Sequence, residues 1–126
     1  MEFLLVFLGG GVGAALRHGV NMLAARLLSG AFPWGTLCIN VLGSFVMGAV
    51  VEFWAQKSGL PQQARLFLTT GILGGFTTFS TFSLEVALLH SRGETAMAAL
   101  YAAGSVALGV GALYLGMASV RQGLFP

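Results

Sequence analysis

The most unusual stretch of this sequence is Gly71-Ile72-Leu73-Gly74-Gly75-Phe76-Thr77-Thr78-Phe79-Ser80-Thr81-Phe82-Ser83. It lies in a segment without charged residues that runs from Leu66 to Leu84, long enough to cross the hydrocarbon core of a bilayer. Glycines and hydroxyls crowd its middle. Inside a membrane, a helix is interrupted only where the freed backbone groups face protein, water or an ion. The stretch therefore predicts an ion or solute site near the bilayer midplane and a function in transport.

The composition argues against a soluble protein. Of the 126 residues, 56% are hydrophobic and 8% are charged, whereas a soluble domain carries roughly 25% charged residues. The net charge of +2 is scattered and forms no basic patch, so nucleic acid is not expected as a partner. No nucleophile–base pair or metal-ligand cluster occurs in the sequence, so we do not expect an enzyme. Cys38 stands alone in an apolar segment, and we expect it to be a buried packing residue.

Long apolar runs with few charges divide the chain into four expected membrane spans, at about 3–28, 34–54, 64–89 and 95–119. We therefore predict an all-α membrane protein with one four-helix domain over residues 1–126, surrounded by lipid. In the third span, Gly74-Gly75 followed by two β-branched threonines is a poor continuous helix. This predicts a helix broken mid-membrane, with unwinding near residues 74–78. The spacing of Gly71 and Gly75 predicts a close helix crossing, with a second copy of the same span as one arrangement.

Arg17 lies deep inside the first expected span, roughly 20 Å from its start at about 1.5 Å per residue. An ionisable residue at that depth usually faces a water-filled cavity or a partner. In an anion pathway, Arg17 would raise the local anion concentration in a vestibule. The alternative is an arginine whose long side chain reaches the far interface. The sequence leaves both interpretations open.

Polar side chains recur on one face of the second span, where Thr36, Asn40 and Ser44 are each four residues apart. The amide of Asn40 can donate to an anion or make an ordinary hydrogen bond between helices. In the third span, Phe79 and Phe82 share a helical face. Their electropositive ring edges can contact an anion, although phenylalanines at this spacing are also common in simple packing.

Further hydroxyls surround these residues. Ser80 and Thr81 add donors beside the phenylalanines, or bond back to their own helix. Tyr101 and Ser105, four residues apart in the fourth span, extend a polar stripe or pair with a neighbouring helix. Backbone carbonyls freed by unwinding suit a small hard cation such as sodium.

The charges at the two ends of the expected spans are nearly balanced. Lys57, Arg65 and Arg121 lie on one side of the membrane, and Arg26 and Arg92 lie on the other. Since lysine and arginine bias normally sets orientation, this chain is expected to insert in both orientations. Two inverted copies would form an antiparallel homodimer. On its two-fold axis, paired carbonyls of the unwound segments would enclose one cation.

These residues resemble the Fluc (CrcB) family of small bacterial fluoride channels along essentially the whole chain. The motifs that carry the resemblance are Gly13-Ala14-Ala15-Leu16-Arg17, then Gly35-Thr36-Leu37-Cys38-Ile39-Asn40-Val41-Leu42-Gly43-Ser44-Phe45, and Gly74-Gly75-Phe76-Thr77-Thr78-Phe79-Ser80-Thr81-Phe82. The resemblance implies a dual-topology homodimer in the bacterial cytoplasmic (inner) membrane. Two antiparallel pores would let fluoride leave the cell passively and so relieve fluoride toxicity. It also implies a central structural sodium ion that is not transported.

The resemblance also implies roles for individual residues. The sodium ligands would be the backbone carbonyls of Gly74 and Thr77 from both subunits. The fluoride pore residues would be Asn40, Phe79, Phe82, Ser80, Thr81, Tyr101 and Ser105. Two positions depart from the family pattern. Gly109 stands where many members carry another hydroxyl, and His18 stands where an aromatic residue often follows the arginine.

The sequence fits two other functions less well. A small proton-coupled multidrug transporter needs a carboxylate in mid-membrane, but Glu2, Glu52, Glu85 and Glu94 all lie near the ends of the expected spans. A membrane subunit that only packs against partners would explain the glycines. It would leave the Thr-Thr-Phe-Ser-Thr-Phe cluster without a purpose.

Overall fold

A computed structural model of the chain describes residues 1–28 and 30–123. Within these ranges, all regular secondary structure is helical. The elements in chain order are α1 (Glu2–Leu27), α2 (Trp34–Gln56), α3 (Gln62–Leu66), a π-helical segment (Phe67–Leu73), α4 (Gly74–Phe76), α5 (Phe79–Ser91) and α6 (Thr95–Arg121).

Four helical segments in the described part of the chain are long and apolar enough to cross a membrane. They are Glu2–Leu27, Trp34–Gln56, Gln62–Ser91 and Thr95–Arg121. They correspond in order to the four expected spans. Many of their large apolar side chains are exposed, as a lipid-facing surface requires. Phe3 and Phe7 of α1, for example, are 93% and 75% exposed.

Glycines bring α1 against the third span. A Cβ added at Gly9 would lie 2.9 Å from the Cα of Gly71, and one at Gly75 would collide with the backbone of Gly10. A Cβ at Gly13 would collide with the carbonyl of Ile72. Gly71 and Gly75 therefore make their close approach within one chain, against α1. The arrangement with a second copy of the third span as their partner is wrong.

A second close crossing joins α2 and α6. A Cβ at Gly48 would collide with the carbonyl of Leu113, and one at Gly116 would collide with the carbonyl of Phe45. Each helix thus places a glycine against the other's backbone, and the two run parallel. Beyond this crossing, the guanidinium of Arg121 forms an ion pair with the buried carboxylate of Glu52.

Cys38 is exposed, so the expectation that it would be buried is wrong. The reason is its position on α2. Trp34, Leu42 and Val46, spaced four residues apart on the same helical face, are also exposed. Cys38 belongs to an apolar stripe that faces away from the rest of the chain.

The backbone leaves helical geometry between α4 and α5. Thr77 has φ −79° and ψ 157°, and Thr78 has φ −150° and ψ 120°, both extended. The Thr78 side chain then caps α5 by accepting a hydrogen bond of 3.3 Å from the amide of Thr81. The Thr77 hydroxyl donates to the carbonyl of Leu73 at 2.9 Å. The two threonines therefore end one helix and begin the next.

Candidate functional site

A groove with a volume of about 360 Å³ lies beside the extended threonines, between α2, α5 and α6. We call it the groove. None of its lining residues, within the part of the chain that the structure describes, is charged. They are Asn40, Gly43, Ser44, Met47, Thr77, Thr78, Phe79, Phe82, Ser105, Val106, Gly109, Val110 and Leu113. Four of the predicted pore residues, Asn40, Phe79, Phe82 and Ser105, are thus brought together by three different helices.

Asn40 holds the extended segment against α2. Its Nδ2 donates to the Thr78 carbonyl at 3.0 Å, and its Oδ1 accepts from the Thr78 amide at 2.9 Å. The side chain of Asn40 therefore satisfies both the amide and the carbonyl of Thr78, which is buried. An amide nitrogen carries two hydrogens, so one N–H of Asn40 remains for a ligand in the groove. The interhelical hydrogen bond is present, and it leaves a donor for an anion.

Aromatic rings form one wall of the groove and continue beyond it. The ring centroids of Phe79 and Phe82 are 5.7 Å apart, and those of Phe82 and Tyr101 are 5.1 Å apart. Phe79 is 77% exposed. The tilted rings present edges as well as faces, and ring edges are electropositive.

Glu85 links the polar faces of α2 and α6 at one end of this wall. Its carboxylate accepts from the Thr36 hydroxyl at 3.1 Å and from the Tyr101 hydroxyl at 2.9 Å. Tyr101 is buried and points to Glu85, so it does not line the groove. Glu85 and Arg92 also line a second pocket of about 230 Å³ beside residues 30–33. Neither Thr36 nor Glu85 is among the predicted pore residues, although the four-residue spacing of Thr36 and Asn40 was the signal for Thr36.

The remaining predicted residues lie around this core. Thr77 lines the groove, whereas Gly74 is exposed outside it. Ser80 is exposed, and Thr81 is half-buried with its amide bonded to Thr78. Arg17 is half-buried in α1 and lines neither of the two pockets described above.

Two backbone carbonyls next to the groove lose the donors that a continuous helix would supply. The amide of Thr78 donates to Asn40 and not to the carbonyl of Gly74, four residues earlier. The amide of Thr81 donates to the Thr78 hydroxyl and not to the carbonyl of Thr77. Carbonyl oxygens released in this way are suitable ligands for a hard cation.

Comparison with known proteins agrees with this geometry. The chain matches the family described as CrcB-like protein, Camphor Resistance (CrcB), over residues 4–117. It is 60% identical to the fluoride-specific ion channel FluC of Granulibacter bethesdensis over 121 residues, which are 96% of this chain and 95% of that protein.

Two further relatives carry the same name. The chain is 55% identical to FluC of Rhodopseudomonas palustris (96% of this chain, 98% of the relative) and 59% identical to FluC of Methylobacterium nodulans (97% and 98%). The names agree with the prediction of transport rather than catalysis. The resemblance seen in the motifs is therefore confirmed, and the chain belongs to the CrcB-like family.

Proposed function

We propose that this multi-pass membrane protein is a fluoride channel of the bacterial cytoplasmic membrane. It lets fluoride leave the cell passively and so relieves fluoride toxicity. The observation that carries the proposal is the groove, in which Asn40, Phe79, Phe82 and Ser105 meet in an uncharged lining. Membership in a family whose relatives are named fluoride-specific ion channels supports it.

The lining suits the chemistry of fluoride. Fluoride is small and strongly hydrated, so several donors in a narrow path have to replace its water. The free N–H of Asn40 and the hydroxyl of Ser105 are such donors, and the ring edges of Phe79 and Phe82 add weaker electropositive contacts. Because the lining is neutral, an anion that binds there can also leave.

A second copy of the chain completes the pore in this proposal. The groove is open on one side, and Phe79 on its rim is 77% exposed. An antiparallel homodimer would close two such grooves and place both Thr77–Thr78 interruptions near the bilayer midplane. Ser80 and Thr81 then reach the pore across the interface. Tyr101 acts at the Glu85 end of the path, and Arg17 lines the vestibule.

A structural sodium ion fits the backbone between α4 and α5. The carbonyls of Gly74 and Thr77 have lost their helical donors to Asn40 and Thr78, and Gly74 is exposed and so accessible to a second subunit. Four such carbonyls, two from each subunit, would hold the ion. A bound cation at the dimer axis supplies positive charge that lowers the cost of bringing anions into the membrane.

The direct test is fluoride efflux from liposomes that contain the purified protein, followed with a fluoride electrode. Wild type is expected to release fluoride rapidly and chloride negligibly, and Phe79→Ile is expected to remove most of the fluoride flux. Phe7→Ile is the matched control, since Phe7 is also a largely exposed phenylalanine but lies on α1 away from the groove. A folded wild-type protein in sodium buffer without fluoride flux would overturn the proposal, and proton-coupled drug uptake would then be measured.

A further inference from the structure

Across the groove, α2 and α6 face each other in a regular register. At one end, Thr36 and Tyr101 meet on the same carboxylate, that of Glu85. At the other end, Gly48 touches the backbone of Leu113. The residue numbers in these two pairs have the same difference. Because both helices advance about 1.5 Å per residue and run parallel, the intervening residues pair at the same offset.

The register defines two polar levels inside the groove, one helical turn apart. Asn40 lies opposite Ser105, and Ser44 lies opposite Gly109. The contact at the second level is direct, since a Cβ added at Gly109 would lie 3.8 Å from Oγ of Ser44. Gly109 contributes no side chain. The hydroxyl at that level therefore comes from the side chain of Ser44.

The hydroxyl of Ser44 differs from four other hydroxyls of this protein, which bond back to their own chain segment. Thr69, Thr77, Ser91 and Ser119 each donate to a carbonyl of the preceding turn at 2.8 to 2.9 Å. The hydroxyl of Ser44 makes no hydrogen bond to any of the residues in 1–28 and 30–123, and Ser44 lines the groove. Ser105 is similar, with a buried Oγ that has no partner in the same ranges. The hydroxyls of both groove serines, Ser44 and Ser105, are thus available as donors.

We propose that Ser44 is an anion-binding residue of the groove and supplies the hydroxyl donor that Gly109 does not. The ligand is a small hydrogen-bond-accepting anion, and the inference rests on the proposed fluoride function. An anion that passes Asn40 and Ser105 meets Ser44 one turn further along, roughly 6 Å away by helical rise. The anion then exchanges its hydrogen bonds at the first level for a hydrogen bond from Ser44 at the second.

Fluoride currents through the dimer in planar bilayers, recorded over a range of fluoride concentrations, test this role. Ser44→Ala is expected to raise the fluoride concentration for half-maximal current about tenfold, as expected for losing one hydrogen bond to a charged ligand. Ser44→Thr keeps the hydroxyl and is expected to stay within about twofold of wild type. Ser119→Ala is the matched control, because its hydroxyl bonds to its own helix outside the groove.

Moving the hydroxyl to the facing helix separates anion binding from packing. Ser44→Ala with Gly109→Ser is expected to recover most of the lost affinity, whereas Ser44→Ala with Gly109→Ala is not. Equal recovery by alanine and serine, or a Ser44→Ala variant that behaves like Ser119→Ala, would overturn the inference while leaving the channel proposal intact. A wild-type protein without fluoride current would overturn both.

Discussion

Replacing Asn40 by alanine tests the central contact of the site. The substitution removes both hydrogen bonds to the backbone of Thr78, at 3.0 and 2.9 Å, and Thr78 is only 7% exposed. Leaving a buried donor and acceptor unpaired costs about 1 to 3 kcal/mol each in water-soluble proteins. Hydrogen bonds between membrane helices average about 0.6 kcal/mol, with a maximum near 1.7. We therefore expect Asn40→Ala to lower the free energy of unfolding by about 2 to 4 kcal/mol.

The same substitution has a consequence for transport. Without Asn40, neither backbone group of Thr78 has its hydrogen-bond partner, and the extended segment loses its side-chain link to α2. The extended segment then loses its fixed conformation, and the groove loses a donor. We expect fluoride efflux to fall at least tenfold, since one hydrogen bond to an ion contributes about 1.5 to 3 kcal/mol.

Asn40→Asp tests whether the groove has to be neutral. An aspartate keeps an acceptor for the Thr78 amide, but its second oxygen faces the Thr78 carbonyl oxygen and it places a negative charge in the groove. It is expected to be no more stable than Asn40→Ala and to conduct less fluoride, because an unpaired buried charge is costly and repels an anion.

Unfolding in mixed detergent micelles and efflux from liposomes, measured on the same preparations, provide the assay. Asn21→Ala on α1 is the control, because Asn21 makes no side-chain hydrogen bond within the described ranges and lies outside the groove. If Asn40→Ala unfolds within about 0.5 kcal/mol of wild type, the Asn40–Thr78 contact does not hold the segment, and the reasoning fails.

Three further predictions concern the bundle and its assembly. Gly13→Ala, which drives a methyl into the backbone of the third span, should cost about 3 kcal/mol of unfolding free energy. Gly11→Ala, where nothing lies within 4 Å, should cost none, and equal effects in thermal unfolding would contradict the crossing. Arg121→Gln should lower the free energy of unfolding by about 1 to 3 kcal/mol, because it leaves the buried carboxylate of Glu52 unpaired. Adding Glu52→Gln should recover most of that loss in a double-mutant cycle, and no recovery would argue against the ion pair. Exchanging sodium for N-methylglucamine during purification should lower the dimer fraction measured by cross-linking, and an unchanged fraction would count against the sodium site.

The membrane spans could be predicted from the sequence because hydropathy and charge alone determine them. Long apolar runs with few charges predict where a helix can lie in lipid, and the helices begin and end close to those runs. Much of the groove could also be predicted. Asn40 on α2, Phe79 and Phe82 on α5, and Ser105 on α6 carry the polar and aromatic groups that an anion path needs, and all four line the groove.

What the sequence did not predict depends on which helix faces which. The spacing of Gly71 and Gly75 predicts a close approach, but it does not identify the helix that approaches, which is α1. Cys38 is apolar enough for a core or for lipid, and its exposure follows from the rotation of α2 about its axis. Tyr101 has a ring beside Phe82, yet its hydroxyl is taken by Glu85, a contact that requires α5 and α6 to be packed together.

The register between α2 and α6 determines which partner each polar residue of α2 meets. Thr36, Asn40 and Ser44 have the same spacing, but the first bonds to Glu85, the second to the backbone of Thr78, and the third to no residue in the described ranges. Their positions opposite α6 are set by the glycine crossing at Gly48, since a bulkier residue there would collide with the backbone of α6. A glycine outside the polar levels therefore controls which polar groups meet across the groove. The small residues and the polar stripe therefore act together, because close packing of α2 against α6 at the glycines determines the distances between the hydrogen-bond donors in the groove.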